Sequence, residues 1–305
     1  MNLLDIAKRN NNDTEIGVIE DVINNYAALK VLDTKVIKGT YFDTFRRTSV
    51  PHGSFVHLNE GITADNSDGE QVRVECYGYE DRVEIAKRAV LANDGSLGDL
   101  LADECAAHFE GNCFYMEKQI FDGVENDPKG FAGLKTNVLD DLTIDAGSST
   151  AKKRTSVYML FTGRTGVRFV CGKESALKIG EPREETLRDK DGKPYEGHVA
   201  PMTGWYGLMI GNSRSVGRIA NIDASNPITQ KLMGKLLAKF PTNVRPNAIF
   251  MNRSAGEMWL DDRSKVAALK SGATSLNLNG LHENALVDSY MGVPIYFTDA
   301  IGNAE

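Results

Sequence analysis

The sequence has few of the residues that build metal sites and redox centres. Its 305 residues include only four cysteines and five histidines. The cysteines, Cys76, Cys105, Cys113 and Cys171, never form a Cys-x-x-Cys pair, and the histidines show no metal-ligand spacing. On one helix, Cys105 and Cys113 would lie about 12 Å apart, too far for a disulfide. We therefore predict reduced, buried thiols and no metal site.

Long apolar runs are also missing. No stretch approaches the roughly 18 apolar residues that a membrane helix requires, which argues against a membrane protein. The first residues, Met1–Arg9, carry Asp5 and have no basic head before an apolar stretch. This pattern is not that of a signal peptide, so we expect the protein to stay in the cytosol where it is made.

Positive charge is scarce in the middle of the chain. The whole sequence has 35 Lys and Arg against 42 Asp and Glu, and residues 51–125 have 5 against 16. A segment with this excess of negative charge repels nucleic acid. The charge pattern therefore argues against tight, sequence-specific DNA binding.

Motifs of catalysis and cofactor binding are absent as well. The segment 166–173 resembles a phosphate-binding loop, but five residues separate its glycines and Glu174 replaces the Ser or Thr that holds magnesium. The segment 187–192 imitates a calcium loop, but it opens with Leu187 and is better explained as a hairpin turn. No nucleophile elbow or Cys/His signature occurs. We predict no catalytic, cofactor-binding or metal-ligating residue, no cofactor, and no enzyme activity.

Two regions are predicted to project from the body of the protein. Residues 1–40 look like an arm, with a short apolar helix around Leu3 and a periodic helical stretch over Ile16–Tyr26. Such helices need a surface supplied from elsewhere. Residues 41–80 predict a long hairpin, with one strand over Phe45–Leu58, one over Val72–Cys76, and a polar tip at Ala64–Gly69. A two-stranded hairpin is marginal alone, so we expect it to rest on a neighbouring chain.

The strongest local signal predicts one long helix from Ser96 to Asp122. Apolar residues recur there every three or four positions, and Ser96 with Asp99 suits the start of a helix. Gly123 and Pro128 predict its end. Its polar side is acidic, and we expect this side to be solvated. The acidic residues are Asp99, Asp103, Glu104, Glu110, Glu117 and Asp122.

The rest of the chain predicts an α+β module. Strands over 156–161 and 167–171 flank a Gly163–Gly166 turn and are expected to pair. Further strands are predicted at 205–210, 215–222, 248–251 and 293–297, and helices after Asn226 and over 253–270. Lys231, Lys235 and Lys239 form a basic stripe that is expected to be solvated.

One stretch carries the most specific likeness to a known family. Ile120–Leu134 contains an aromatic-x-Gly step followed by Pro-x-x-Phe-x-Gly-Leu. Five further blocks follow in the same order as in that family: Thr155–Tyr158, Trp205–Leu208, Arg214–Ile222, Phe250–Arg253 and Gly292–Ile301. Together they resemble the major capsid proteins of tailed bacteriophages, in particular the Gp7-like family with the Hong Kong-97-type fold.

The resemblance implies a layout in four parts. Residues 1–40 would be the N-terminal arm and 41–80 the E-loop. Residues 81–135 and 285–305 would be the peripheral domain with its spine helix, and 136–284 the axial domain. The three glycines Gly123, Gly130 and Gly133 would turn the chain sharply after the spine helix. Arg214 and Arg218 are expected to form salt bridges, either with a neighbouring subunit or as ordinary surface pairs.

The resemblance also implies a function without chemistry. The chain would self-assemble into hexamers and pentamers of the icosahedral head shell of a tailed dsDNA phage, in the host cytoplasm. The shell would meet a portal protein, could carry a decoration protein, and would enclose DNA without reading its sequence. It would expand during DNA packaging, when the spine helix and E-loop change their packing. An encapsulin-like nanocompartment shell is the alternative, and an unknown enzyme is a more distant one.

Two departures from the best-known member qualify this expectation. No lysine occurs between Lys38 and Lys87, so a covalent link through an E-loop lysine is not expected. No helical scaffolding region is recognisable before the arm, which predicts a separate scaffolding protein. The acidic side of the spine helix is expected to face inward and keep packaged DNA from adhering.

Overall fold

The computed structural model describes residues 26–47, 49, 51–92, 96–147, 154–172, 178–271 and 289–303. The predicted helices around Leu3 and over Ile16–Ile23 lie outside these residues. The described helices are α1 (Ala27–Val31), α2 (Lys87–Ala92), α3 (Leu97–Asp122), α4 (Gln230–Lys239) and α5 (Arg253–Ser271). The strands are β1 (Asp33–Val36), β2 (Tyr41–Arg47), β3 (Gly69–Glu75), β4 (Tyr77–Ala86), β5 (Thr143–Asp145), β6 (Thr155–Leu160), β7 (Val167–Cys171), β8 (Lys178–Ile179), β9 (Arg183–Arg188), β10 (Pro194–Ile210), β11 (Val216–Ile222), β12 (Ala248–Met251), β13 (Ser289–Tyr290) and β14 (Val293–Phe297).

The described strands form three sheets. The first has the order β1-β7-β10-β4, with β8 and β9 also paired to β10. The second has the order β13-β14-β12-β6-β11-β5. The third is the β2-β3 hairpin. Helices and strands alternate irregularly and most pairs are antiparallel, which is the α+β class that the sequence predicts.

The expected pairing of the strands around Gly163–Gly166 is wrong. β6 lies in the second sheet between β12 and β11, whereas β7 lies in the first between β1 and β10. Every residue of β6 is buried, as are four of the five in β7. Strands this apolar need neighbours on both edges and cover on both faces, so each occupies the interior of its own sheet. The turn therefore carries the chain from one sheet to the other.

The predicted long helix is confirmed as α3, which we call the spine helix. Ser96 caps it by accepting a hydrogen bond from Asp99 N at 3.4 Å, and Gly123 ends it with a φ of +60°. Its C-terminal half packs into the main core, where Met116, Ile120 and Phe121 are buried. Its N-terminal half packs on β4 and β10 through Cys105.

The arm prediction needs correction at its C-terminal end. Leu29 and Leu32 are buried in this chain's own core, and β1 pairs in parallel with β7. The surface that this segment needs is therefore supplied by the same chain. We call residues 26–37 the arm root.

The hairpin of residues 41–75 is confirmed, but its ribbon is shorter than predicted. Seven residue pairs join β2 to β3, from Tyr41–Glu75 to Arg47–Gly69. Residues 51–68 form a long loop, so the predicted strand through Leu58 stops at Arg47. The predicted polar tip at Ala64–Gly69 instead leads back into β3, because Asp68 is held to Ser49 at the end of the ribbon.

The helix expected after Asn226 is confirmed with a different cap. Thr229 Oγ1 accepts from Leu232 N at 3.3 Å, so α4 begins three residues later than the Asn-Pro signal indicates. Asn226 instead closes the preceding turn, donating its backbone N–H to Asp223. The charged turn at 189–193 joins β9 to β10 as predicted. All four cysteines are buried thiols outside any disulfide, as expected.

Candidate assembly surfaces

The hairpin loop, residues 51–68, carries bulky apolar side chains that no other residue described in the structure covers. Phe55 and Leu58 have relative exposures of 108% and 104%, and Ile62 is 62% exposed. A folded chain in isolation gains nothing from such side chains, and contiguous exposed apolar residues mark interaction sites. The hairpin loop is therefore the first candidate contact surface.

The base of the hairpin is fixed to the body. Val74 and Cys76 are buried with Val170 and Met209, and Cys76 N donates to Thr40 O at 2.7 Å. Gly207 lies directly under the Glu75 carbonyl, where a side chain would collide. This close approach explains a glycine after the aromatic pair of β10. The loop is thus held away from the body by an anchored ribbon.

The turn after the spine helix is built from glycines in contact, as the sequence predicts for Gly123, Gly130 and Gly133. A Cβ on Gly133 would lie 2.7 Å from the Cα of Gly123, and one on Gly130 would lie 2.5 Å from Gln119 Nε2. Gln119 Nε2 donates to Phe131 O at 2.9 Å. The junction therefore doubles back onto the helix with no space for side chains.

Beside this junction lies an open, largely aromatic pocket of about 380 Å³, lined by Tyr77, Tyr79, Tyr115, Phe131 and Tyr206 among others. Tyr115 donates its hydroxyl to Asp127 Oδ2 at 2.9 Å. The hydrogen bond from the Lys129 amide, with that of Tyr115, holds the pKa of Asp127 below its usual range, while burial and Asp127 raise the pKa of Tyr115. Neither group is thereby prepared to exchange a proton near neutral pH, so this pair stabilises the junction.

The acidic side of the spine helix is exposed at Asp99, Asp103, Glu104 and Glu110, as predicted. Asp122 is half-buried, and Glu117 contradicts the prediction because it is only 2% exposed. Its Oε1 accepts from Ala28 N at 2.6 Å. Burial raises the pKa of Glu117 to about 7, against the effect of its hydrogen bonds.

A second polar cluster joins the spine helix to β4. His108 Nδ1 and Asn112 Nδ2 both lie 2.8 Å from Asp81 Oδ2. Burial raises the pKa of Asp81, but the hydrogen bonds from His108 and Asn112 outweigh it and hold that pKa below its ordinary value. His108 is half-buried in this cluster.

The described residues contain no group of His, Cys, Asp or Glu arranged to hold a metal ion. Among them, no helix combines the length and apolarity that crossing a membrane demands.

Comparison with known sequences decides the family. A family model described as Major capsid protein GP7 matches residues 16–305. The chain belongs to this family of major capsid proteins. No curated protein matches the chain.

The capsid fold is also seen in solved structures. A chain from bacteriophage Epsilon15 is 16% identical with a TM-score of 0.64, over 91% of this chain and 88% of that one. A chain of the bacteriophage JBD30 capsid is 10% identical with a TM-score of 0.50, over 76% and 80%. An encapsulin chain from Synechococcus elongatus PCC 7942 has a TM-score of 0.45 and 9% identity over 66% and 89%.

The predicted family, the Hong Kong-97-like α+β fold and the role as a major capsid protein of a phage virion are therefore confirmed. Arg214 and Arg218 find partners within the capsid protein itself. Arg214 pairs with Asp141 at 3.1 Å, and Arg218 Nε donates to Ser156 Oγ at 3.0 Å. Within one subunit Arg214 thus has an acidic partner and Arg218 a hydroxyl acceptor, and salt bridges of these arginines with a neighbouring subunit stay a prediction.

Sequence reasoning missed two features of this capsid protein. The pocket beside the glycine junction combines residues from four distant segments, so no local motif encodes it. Glu117 was grouped with the solvated acids, although it falls one position after the buried Met116 in the helical pattern. This placement next to a buried position of the helix is the one sequence signal that indicates burial of Glu117.

Proposed function

We propose that this capsid protein builds the icosahedral head shell of a tailed dsDNA phage, as hexamers and pentamers of itself. The observation that carries the proposal is the hairpin loop, whose Phe55 and Leu58 are fully exposed at the end of an anchored ribbon. A patch that is covered by a different patch on the next copy gives a head-to-tail contact, and such contacts close into rings.

The proposed layout follows the family. Residues 1–40 act as the N-terminal arm with its root held in the body, and 41–80 act as the E-loop. Residues 81–135 with 285–305 form the peripheral domain around the spine helix, and 136–284 form the axial domain. The fixed root and the anchored hairpin support a protomer that reaches neighbours through limbs while its body stays rigid.

Assembly then follows from many modest contacts. Each loop buries a few apolar side chains, at about 25 cal/mol per Å² of apolar surface. Single contacts of this size are reversible, which permits correction of errors. A closed ring and then a closed shell engage many contacts at once, and dissociation becomes slow.

The proposed partners are those of phage head assembly. A separate scaffolding protein guides assembly, a portal protein occupies one vertex, and a decoration protein is an optional outer partner. The shell encloses dsDNA, with exposed Asp99, Asp103 and Glu110 facing inward so that like charge keeps DNA from adhering. A structure of the shell with these carboxylates on its outer face would contradict this orientation.

No chemistry is proposed for the shell. The lack of lysine between Lys38 and Lys87 supports a shell without a covalent link through the E-loop. Expansion during packaging is proposed to change the packing of the spine helix and the E-loop.

Variants of the hairpin loop test the proposal. The full chain is expressed with and without a candidate scaffolding protein, and shells are counted by negative-stain electron microscopy. Phe55→Asp should lower the shell yield about tenfold or more, because each contact then buries a charge in place of an apolar ring. Phe55→Leu, the matched control, should still assemble.

Unassembled Phe55→Asp chain should keep the wild-type melting temperature, since the Phe55 side chain is fully exposed in the part of the subunit that the structure describes. Wild-type assembly by Phe55→Asp, or a wild-type chain that stays monomeric with every scaffold, would overturn the proposal. Uniform shells formed by the chain alone would remove the need for a scaffolding protein.

A further inference from the structure

One buried carboxylate lies where three distant segments of the chain meet. Glu117 projects from the spine helix and is 2% exposed. Its Oε1 accepts from Ala28 N of the arm root at 2.6 Å, and its carboxyl group is also hydrogen-bonded by the Thr298 side chain near the C-terminus. This side chain of the spine helix therefore contacts both the start of α1 and the segment after β14.

Glu117 does the work of a helix cap for α1. The first N–H groups of any helix lack partners within that helix and need an outside acceptor when buried. Tyr26, at the cap position of α1, provides no side-chain hydrogen bond. The Glu117 carboxyl group, 89 residues away in sequence, supplies the missing acceptor for the buried Ala28 amide.

Among the described residues, the groups that shift the pKa of Glu117 do not include a cation that would stabilise its ionised form. Tyr26 faces it from the arm root and Cys113 from its own helix. Asp299 faces it from the C-terminal segment and is itself paired with Arg253 at 2.8 Å. An ionised carboxylate in this place would meet burial and a like charge together.

We propose that Glu117 is a protonation-sensitive joint that holds the arm root on the spine helix, tightly when its carboxyl group is neutral and loosely when it is ionised. The neutral group keeps both contacts, because its carbonyl oxygen accepts from Ala28 N and its hydroxyl can donate to Thr298 Oγ1, which rotates to suit. The ionised group keeps the same contacts but loses its hydration.

The direction of the pH dependence follows from the two environments. In the docked state the arm root packs on the spine helix, and burial raises the pKa of Glu117 to about 7. When the arm root is released, the carboxyl group is hydrated again and its pKa returns toward the ordinary value of 4.5. The docked state thus binds the proton more tightly, so docking is strongest in acid and weakens as pH rises from about 4.5 to 7. Each unit of this difference is tenfold in the docking equilibrium, so opening should increase on the order of a hundredfold between pH 5 and 8.

The consequence for assembly rests on the proposed function. The described part of the arm root begins at Tyr26, whose hydroxyl donates to Glu110 O at 3.1 Å. Residues 1–25 precede it in the sequence. If residues 1–25 serve as the arm, the contact at Glu117 sets the point and direction in which the arm leaves the subunit. A more alkaline medium would then free the arm to change neighbours, and a more acidic medium would fix its direction.

Hydrogen exchange tests the joint in the unassembled full-length chain. Exchange of the peptide spanning 26–32 is measured from pH 5 to 8 and corrected for the intrinsic pH dependence of amide exchange. Wild type should open on the order of a hundredfold more often at pH 8 than at pH 5. Glu117→Gln keeps an acceptor for Ala28 N without a titrating group, so its opening should be low and independent of pH.

Glu110→Gln is the matched control, an acid on the same helix whose side chain is exposed, and it should behave as wild type. The proposal is wrong if opening of the wild-type arm root does not change with pH. It is also wrong if Glu117→Gln shows the same pH dependence of opening as wild type. If Glu117→Gln does not fold, the Ala28 amide signal of wild type is followed by NMR: a midpoint near pH 7 supports the joint, and a signal that does not titrate rejects it. None of these measurements needs a shell, so their failure would leave the proposed function standing.

Discussion

The backbone of Gly133 fills the space that a side chain on Gly123 would need. The Gly133 nitrogen and Cα both stand within collision distance of a Cβ built on Gly123, and Leu134 N donates to Ile120 O at 2.7 Å just beyond the contact. Gly123 also has a φ of +60°, where L-residues with a side chain are rarely found. The end of the spine helix is thus fixed by two glycines in direct contact.

Replacing Gly123 with alanine should destabilise the subunit by about 3 kcal/mol or more, because the methyl group meets both backbone strain and a rigid neighbour. Gly111→Ala is the matched control in the middle of the same helix, where a Cβ meets nothing within 4 Å. This control should raise stability by about 0.5–1 kcal/mol through lower backbone entropy in the unfolded chain. Urea unfolding of unassembled chains measures both, and equal effects would refute the argument.

The polar cluster around Asp81 predicts a pH-dependent contribution to stability. Asp81→Asn removes the charged acceptor of His108 and Asn112 and should cost about 1–2 kcal/mol at pH 7. The folded-state pKa of Asp81 is held below the ordinary value of 3.8, so this stabilisation is present above about pH 4 and is lost as pH falls through the folded pKa.

The difference in the free energy of unfolding between wild type and Asp81→Asn should therefore become smaller toward pH 3. Urea unfolding at several pH values measures it. Asp103→Asn, a change at an exposed acid of the spine helix, should stay within about 0.5 kcal/mol of wild type. If this free-energy difference stays constant from pH 7 to pH 3, the ionised carboxylate of Asp81 is not the source of the stabilisation.

Two residues are candidates for the N-cap of α4, Thr229 from the structure and Asn226 from the sequence, and mutation distinguishes them. Thr229→Ala should destabilise the subunit by about 1 kcal/mol, because Leu232 N loses its acceptor. Asn226→Ala should cost less, since its bond to Asp223 is made by the backbone amide that alanine retains. Thermal unfolding of the two variants checks this order, and a larger loss for Asn226→Ala would restore the sequence-based assignment of the cap.

The sequence predicts features that depend on neighbours in the chain. The spine helix follows from a sustained apolar period with Ser96 at one end and Gly123 at the other. The glycine junction and the β9–β10 turn are equally local. The resemblance over Ile120–Leu134 added the family, because the sharp turn after the helix restricts which residues fit.

Features that depend on distant segments could not be predicted in this way. β6 and β7 look like a hairpin because a Gly-rich turn separates them, but burial on both faces places them in different sheets. The loop tip was assigned to the polar residues at 64–69, whereas pairing of Arg47 with Gly69 moves the tip to the apolar residues. Glu117 is buried where the arm root and the segment after β14, both distant in sequence, meet the spine helix.

The long strand β10 has a mechanical consequence. Ten of its 17 residues pair with β4 on one edge, while β9, β8 and β7 follow one another along the other edge. Hydrogen bonds between antiparallel strands run perpendicular to the strand axis, so a pull along that axis loads the whole ladder in shear rather than opening it bond by bond. A container wall made of such subunits resists tension from its contents best when the stress runs along β10.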